Sequence, residues 1–189
     1  DWGDSVEAVV VSVLKSILLV PITLLPVINP LSTAPIFVAT VADNRALSAR
    51  LARQVAINSW FVIVASMLIG TYVLALFGIS LPVVRIGGGL LVASTAWRLL
   101  HHAEDDEVHE KAAQETCAMS DTEVIRRSFF PITYPLTTGP GTIAASIALG
   151  AQNPTTPVRY VAGALVAVAG AALVSVVLYL IFRNSTAVV

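Results

Sequence analysis

Charge is the property this chain has least of. Only 12% of its 189 residues are Asp, Glu, Lys or Arg, about half of the roughly 25% found in an ordinary soluble domain. With 56% hydrophobic residues and a mean hydropathy of +0.82, it cannot build a water-facing surface all round. Its one cysteine, Cys117, rules out a disulfide framework within the chain. No basic cluster accompanies the net charge of −1, so nucleic acid is not expected as a partner. His101, His102 and His109 are the only histidines and stand at or beyond the end of an apolar run. The apolar segments therefore lack the nucleophile–base pair or metal ligands that chemistry at depth requires. The chain is not read as an enzyme, and no metal or cofactor is expected.

The charge that is present is segregated. Charge-free runs extend over Ser16–Ala42, Gln54–Val84, Ser128–Val158 and Tyr160–Phe182, each longer than the roughly 20 residues that cross a hydrocarbon core. A further run, Val83–Leu100, is interrupted only by Arg85 and Arg98 near its ends, where long side chains reach the interface. The runs are continuous rather than alternating, so the expected class is an all-α, polytopic transmembrane bundle with five spans and not a barrel. Asp1, Asp4 and Glu7 precede the first run, which excludes the basic start of a cleavable signal peptide. That run is expected to stay in the mature protein.

Positive charges set the expected orientation. With the first helix running outside to inside, Arg45, Arg50, Arg53, Arg98, Lys111, Arg126, Arg127 and Arg183 fall inside, and Lys15, Arg85 and Arg159 outside. That asymmetry predicts a multi-pass protein of the plasma (inner) membrane with its N-terminus outside. Residues 1–189 read as a single membrane domain: a first repeat of three helices over 14–101, a cytoplasmic loop over 102–126 and an incomplete second repeat over 127–189. The loop mixes histidines, Cys117 and carboxylates at spacings that fit no metal-ligand pattern, and reads as a solvated linker.

Prolines interrupt two of the runs. The first carries Pro21, Pro26, Pro30 and Pro35; an interior proline removes a backbone donor and costs a helix about 3 kcal/mol. Asn29 precedes Pro30 and is pushed out of the α region, while Asn before Pro suits an N-cap followed by a first helical residue. A new half-helix is expected there, with the amides of Leu31, Ser32 and Thr33 unpaired. The fourth run repeats the device with Pro131, Pro135 and Pro140, Gly139 standing as the cap and the amides of Gly141, Thr142 and Ile143 exposed. Asn29 lies at the centre of its run and Gly139 at the centre of its own, so both breaks are expected near mid-membrane. Both runs also contain Pro-Ile-Thr upstream, at Pro21–Thr23 and Pro131–Thr133. Three helices separate the two copies, and an odd number inverts orientation, giving an inverted repeat with discontinuous first and fourth helices.

Bare amides at two helix starts attract an anionic group, and the carbonyls released before them (Pro26–Ile28 and Pro135–Thr137) attract a cation. A small zwitterion satisfies both. The expected substrate-binding residues are Asn29, Pro30, Ser32 and Thr33 with Thr138, Gly139, Pro140, Gly141 and Thr142, beside the Thr137 hydroxyl. Gln54 and Asn58, four apart on one helix face, either line the cavity or bond to a neighbouring helix. Gly163, Ala167, Ala171 and Ser175 form a small-residue stripe that reads as helix packing.

Three segments carry a family resemblance: LLPVINPLSTAPIF (Leu24–Phe37), RIGGGLLVASTAWRLL (Arg85–Leu100) and FFPITYPLTTGPGTIA (Phe129–Ala144). They resemble the MarC family, also called the small neutral amino acid transporter family (NAAT, SnatA-like). The resemblance implies six helices in two inverted repeats, a plasma-membrane location and transport of glycine- or alanine-like amino acids, with the site on the residues just named. The chain ends at Val189 soon after the fifth helix, so the sixth is expected to be absent from it. The leading reading is a secondary transporter working by alternating access, its partners the lipid bilayer and a zwitterionic substrate. The alternative is a non-transporting multi-pass protein: lipid-binding, channel-like or an assembly component. The sequence leaves open the coupling ion (proton or sodium), the direction of transport and the oligomeric state.

Overall fold

The computed structural model describes residues 2–41, 45–101, 128–151 and 157–185. Its elements are α1 (Trp2–Ile28), α2 (Pro30–Val41), α3 (Arg45–Leu76), α4 (Leu81–His101), a kinked segment (Ser128–Thr137), α5 (Pro140–Gly150) and α6 (Pro157–Arg183). The fold is all-α among the described residues, as the continuous apolar runs require. The loop expected at 102–126, with His102, His109 and Cys117, lies outside them.

Three helical stretches among the described residues are long and apolar enough to cross a bilayer: Val10–Ile28, Leu47–Leu76 and Val161–Arg183. The other two expected spans are helical but differ in kind. α4 has 21 residues, but Arg85 and Arg98 within it lower its apolarity. The run from Ser128 to Gly150 is divided between the kinked segment and the 11-residue α5. The first span also differs from expectation at its start. α1 has 27 residues, about 40 Å of helix, and passes through Lys15 rather than beginning after it. Its break at Asn29 thus stands at the end of a span-length helix, not halfway along one.

α3 and α6 form the spine of the bundle. They run antiparallel: Arg53 lies beside Tyr179, and seven residues further along α3 the Trp60 indole donates to the Val168 carbonyl at 3.2 Å. On α3 the inward face is Leu51, Ala52, Val55, Ser59, Ile63 and Met67, at three- and four-residue intervals; on α6 it is Val166, Ala167, Ala171, Val174, Leu178 and Phe182. α1 lays Val20, Leu24 and Ile28 against this core, and α2 adds Phe37, whose ring stacks on Phe182 with centroids 4.9 Å apart. The stripe of Gly163, Ala167, Ala171 and Ser175 is buried, in keeping with packing.

Lipid tails are as apolar as Leu, so burial of apolar surface does little to hold such helices together and close packing must. Glycine supplies it. A Cβ at Gly170 of α6 would stand 2.7 Å from Val20 of α1, and one at Gly88 of α4 would stand 2.7 Å from the Ala144 Cβ of α5. Between α3 and α5 the approach is closer still, with Gly150 against the Met67 carbonyl and Gly70 against Ile147. Outward, Leu18, Ile22, Phe61, Ile69, Leu165 and Leu180 are exposed, as a lipid-facing exterior requires.

The packing pattern has an internal regularity. α1 packs on α5 while α2 packs on the kinked segment; α1 packs on α6 while α3 packs on the kinked segment; α2 packs on α6 while α3 packs on α5. Exchanging α1 with the kinked segment, α2 with α5 and α3 with α6 maps these six pairings onto one another, while the contacts of α2 with α3 and of α4 with α5 fall outside the exchange. Reciprocal pairing of this kind is what a two-fold relation produces.

Candidate functional site

The two breaks are built by different local chemistry. At the first, Asn29 alone leaves the helix, with a φ of 45°. It is a left-handed cap closing α1, its amide donating to the Leu25 carbonyl at 3.0 Å, a position that Asn tolerates better than any residue but Gly. The sequence reading made Asn29 an N-cap for α2. What faces α2 is its backbone carbonyl, which accepts from the Ser32 amide at 3.1 Å and the Ser32 hydroxyl at 3.0 Å. Pro30 then opens α2 as expected, while Pro21 and Pro26 are carried inside α1 and Pro35 inside α2 without ending either helix.

The left-handed residue gives a direct test. Replacing Asn29 with Gly should leave the break intact, whereas Asn29→Val puts a β-branched residue where L side chains lose about 1–2 kcal/mol or more. Thermal unfolding in detergent should show the Val variant clearly below wild type and the Gly variant close to it. Equal midpoints for all three would show that the conformation at 29 carries no strain.

The second break is longer. The kinked segment departs from helical geometry at Phe130 (φ −122°, ψ 125°) and Tyr134 (φ −124°, ψ 128°). Threonine hydroxyls here add to the backbone donors at the same spacing of five. Thr133 Oγ1 donates to the Ser128 carbonyl at 2.6 Å, Thr137 Oγ1 to Ile132 at 2.7 Å, and Thr138 Oγ1 to Thr133 at 2.9 Å, the last beside the Thr138 amide at 2.7 Å. Gly139 is extended (φ −75°, ψ 179°) and caps α5 with no side-chain bond. A Cβ there would stand 2.8 Å from the Pro135 carbonyl, so the chain needs glycine for closeness rather than for its dihedral angles. Pro140 is the first residue of α5.

These details decide which backbone groups are left over. Ser32 and Ile143, expected to be bare, donate to the carbonyls of Asn29 and Gly139. The amides of Leu31, Gly141 and Thr142 make no backbone hydrogen bond among the described residues, and neither do the carbonyls of Pro26, Val27 and Ile28 or of Pro135, Leu136 and Thr137. Each break therefore offers donors on its downstream side and acceptors on its upstream side.

The expected site residues divide by burial. Pro30, Thr33, Thr138 and Thr142 are buried, Gly139 and Gly141 are half-buried, and Asn29, Ser32 and Pro140 are exposed. α1 packs against α5 and α2 against the kinked segment, so each break is flanked by the two halves of the other. Gln54 Nε2 donates to Asn58 Oδ1 at 3.4 Å and Asn58 Nδ2 to Ser128 Oγ at 3.4 Å. The pair thus bonds α3 to the start of the kinked segment. Ser128 was not singled out by the sequence reading. The signal that could have found it is Ser128, Thr133 and Thr138 recurring every five residues among prolines that supply no amide.

Three span-length apolar helices, with two proline-started helices that leave backbone groups unpaired at Asn29–Pro30 and Gly139–Pro140, define a polytopic integral membrane protein built around discontinuous helices. The chain belongs to the MarC family of integral membrane proteins, whose family model matches residues 14–189. It is 32% identical over 134 residues to the inner membrane protein MarC of Salmonella typhimurium, a match covering 70% of this chain and 61% of that protein. It is similar to MarC of Escherichia coli at 32% identity over 134 residues. It also resembles the membrane protein YvbG of Bacillus subtilis, at 31% over 139 residues covering 70% of this chain and 62% of the relative. The chain thus spans about three-fifths of the length of the curated relatives it matches. No solved structure matches it.

Proposed function

We propose that this chain handles substrate in a secondary transporter of small neutral amino acids, glycine- or alanine-like, that works by alternating access in the inner membrane. One observation carries the reading: two proline-started helices, at Asn29–Pro30 and Gly139–Pro140, each leave backbone donors and acceptors unpaired where α1 and α2 pack on α5 and the kinked segment. Unpaired backbone at membrane depth is tolerated only against protein or a water-filled cavity. In this reading the amides of Leu31, Gly141 and Thr142 take the substrate carboxylate, and the carbonyls of Ile28 and Thr137 with their upstream neighbours take its ammonium group. The reciprocal packing of α1–α3 with the kinked segment, α5 and α6 supports an inverted repeat, the two repeats being residues 14–101 and 127–189. The N-terminus lies outside, following the distribution of Lys and Arg.

The second reading, a non-transporting lipid-binding, channel-like or assembly component, is favoured by one feature. The hydroxyls of Thr137 and Thr138, which a substrate would use, are bonded to carbonyls of their own segment. Proteoliposomes separate the two. Under the transporter reading, labelled glycine or alanine accumulates above empty vesicles when a proton or sodium gradient is imposed, and unlabelled substrate competes. Monodisperse, helical protein that gives no uptake under either gradient removes it.

A further inference from the structure

Outside the two breaks, a groove of about 560 Å³ lies between α3 and α6, among its lining residues Arg53, Ile57, Trp60, Ser175, Val176 and Tyr179. Its walls belong to two span-length helices. We propose that this groove holds an anionic phospholipid, the phosphate on Arg53 and one acyl chain along Ile57 and Val176.

Three observations select that occupant. First, Arg53 is exposed and makes no hydrogen bond or ion pair among the described residues, and neither α3 nor α6 contains an Asp or Glu that could neutralise it. Arg183 stands at the same end, its guanidinium over the Tyr179 ring at 5.8 Å and donating to the Tyr179 hydroxyl at 3.4 Å. The groove mouth is therefore cationic with no counter-charge on its own helices. A guanidinium matches a phosphate in bidentate geometry, and basic pockets between membrane helices recruit anionic headgroups. Second, the Ser175 hydroxyl lines the groove at 9% exposure and has no hydrogen-bond partner. A buried hydroxyl left unpaired costs free energy, and a glycerol or ester oxygen entering the groove would pair it. Third, the remaining walls are apolar, with Trp60 at the middle of the α3 span and Tyr179 at the end that carries Arg53 and Arg183, the layout an acyl chain below a headgroup requires. A free phosphate would leave these walls uncovered. A second copy of the chain placed symmetrically on the groove would set Arg53 against Arg53, a like-charge contact with nothing to offset it.

The test uses the full chain in detergent, titrated by native mass spectrometry with phosphatidylglycerol and phosphatidylcholine of identical acyl chains. Phosphatidylglycerol should be retained at roughly tenfold lower concentration than phosphatidylcholine. Arg53→Gln should abolish that preference while leaving phosphatidylcholine binding unchanged. Ala172 also lines the groove, and Ala172→Phe, which fills it, should lower binding of both. Equal retention of the two lipids by wild type overturns the proposal, as does an Arg53→Gln variant that keeps the preference. A dimer of wild type that Ala172→Phe dissociates would assign the groove to a second copy instead and equally overturn it. Arg53 is exposed, so its variant stays informative even where Ala172→Phe fails to fold.

Discussion

Gly150→Ala should destabilise this protein more than any other single methyl addition among its described glycines. The added Cβ meets the backbone carbonyl of Met67 on α3, an atom that no rotamer change can move. α3 and α5 must separate, and overpacking of this kind costs typically about 1–3 kcal/mol and at times more. In lipid no hydrophobic term draws the helices back together. Two other glycines calibrate the effect. At Gly70 the obstacle is the Ile147 side chain, which can rotate away. At Gly78 nothing lies within 4 Å and only its φ of 66° opposes a side chain, a penalty of about 1–2 kcal/mol. Thermal unfolding in detergent should therefore rank the Ala variants with Gly150 lowest, at a midpoint roughly 6–12 °C below wild type for a loss of about 3 kcal/mol. Equal midpoints for Gly150→Ala and Gly78→Ala would mean that α3 and α5 are not in backbone contact.

The second large effect is functional. Gly141 is half-buried in the first turn of α5, and its amide is one of the three left unpaired at the breaks. Gly141→Val places a branched side chain beside that amide where a carboxylate would approach, without touching the proline that starts the helix. Uptake of labelled glycine or alanine should fall at least about tenfold, the equivalent of one charge-assisted hydrogen bond lost, while membrane insertion and helix content stay as in wild type. Gly141→Ala should fall between. Full transport by the Val variant would make the second break purely structural.

What the sequence disclosed and what it hid follow from the range of the physics involved. The two helix starts were legible because proline acts on its own residue and the one before it, so Asn29-Pro30 and Gly139-Pro140 announce themselves whatever surrounds them. The conformation of Asn29 was misjudged for the same reason: an N-cap and a left-handed C-terminal cap use the same residue type, and only the bond from its amide to Leu25 separates them. The other prolines of the first run mark no breaks. Pro21, Pro26 and Pro35 sit within helices, because the loss of one backbone bond is survivable where the chain on both sides remains helical. Lys15 marked the end of a charge-free run but not of α1, since a lysine near an interface is no obstacle to a helix. The bond from Asn58 to Ser128 spans 70 residues of sequence, and no local rule reaches so far. The small-residue stripe of α6 was readable as packing, yet that Gly150 meets a backbone atom of another helix depends on how two helices cross.

α4 stands apart from the rest of the bundle. Its principal contact among the described residues is with α5, where Gly88 meets Ala144, and it follows α3 after the turn at Gly78. A helix moored on one neighbour and tethered to another by a glycine travels with the mooring. α5 in turn is locked to α3 where Gly150 meets the Met67 carbonyl, so a displacement of α3 is handed through α5 to α4 and the three travel as one block.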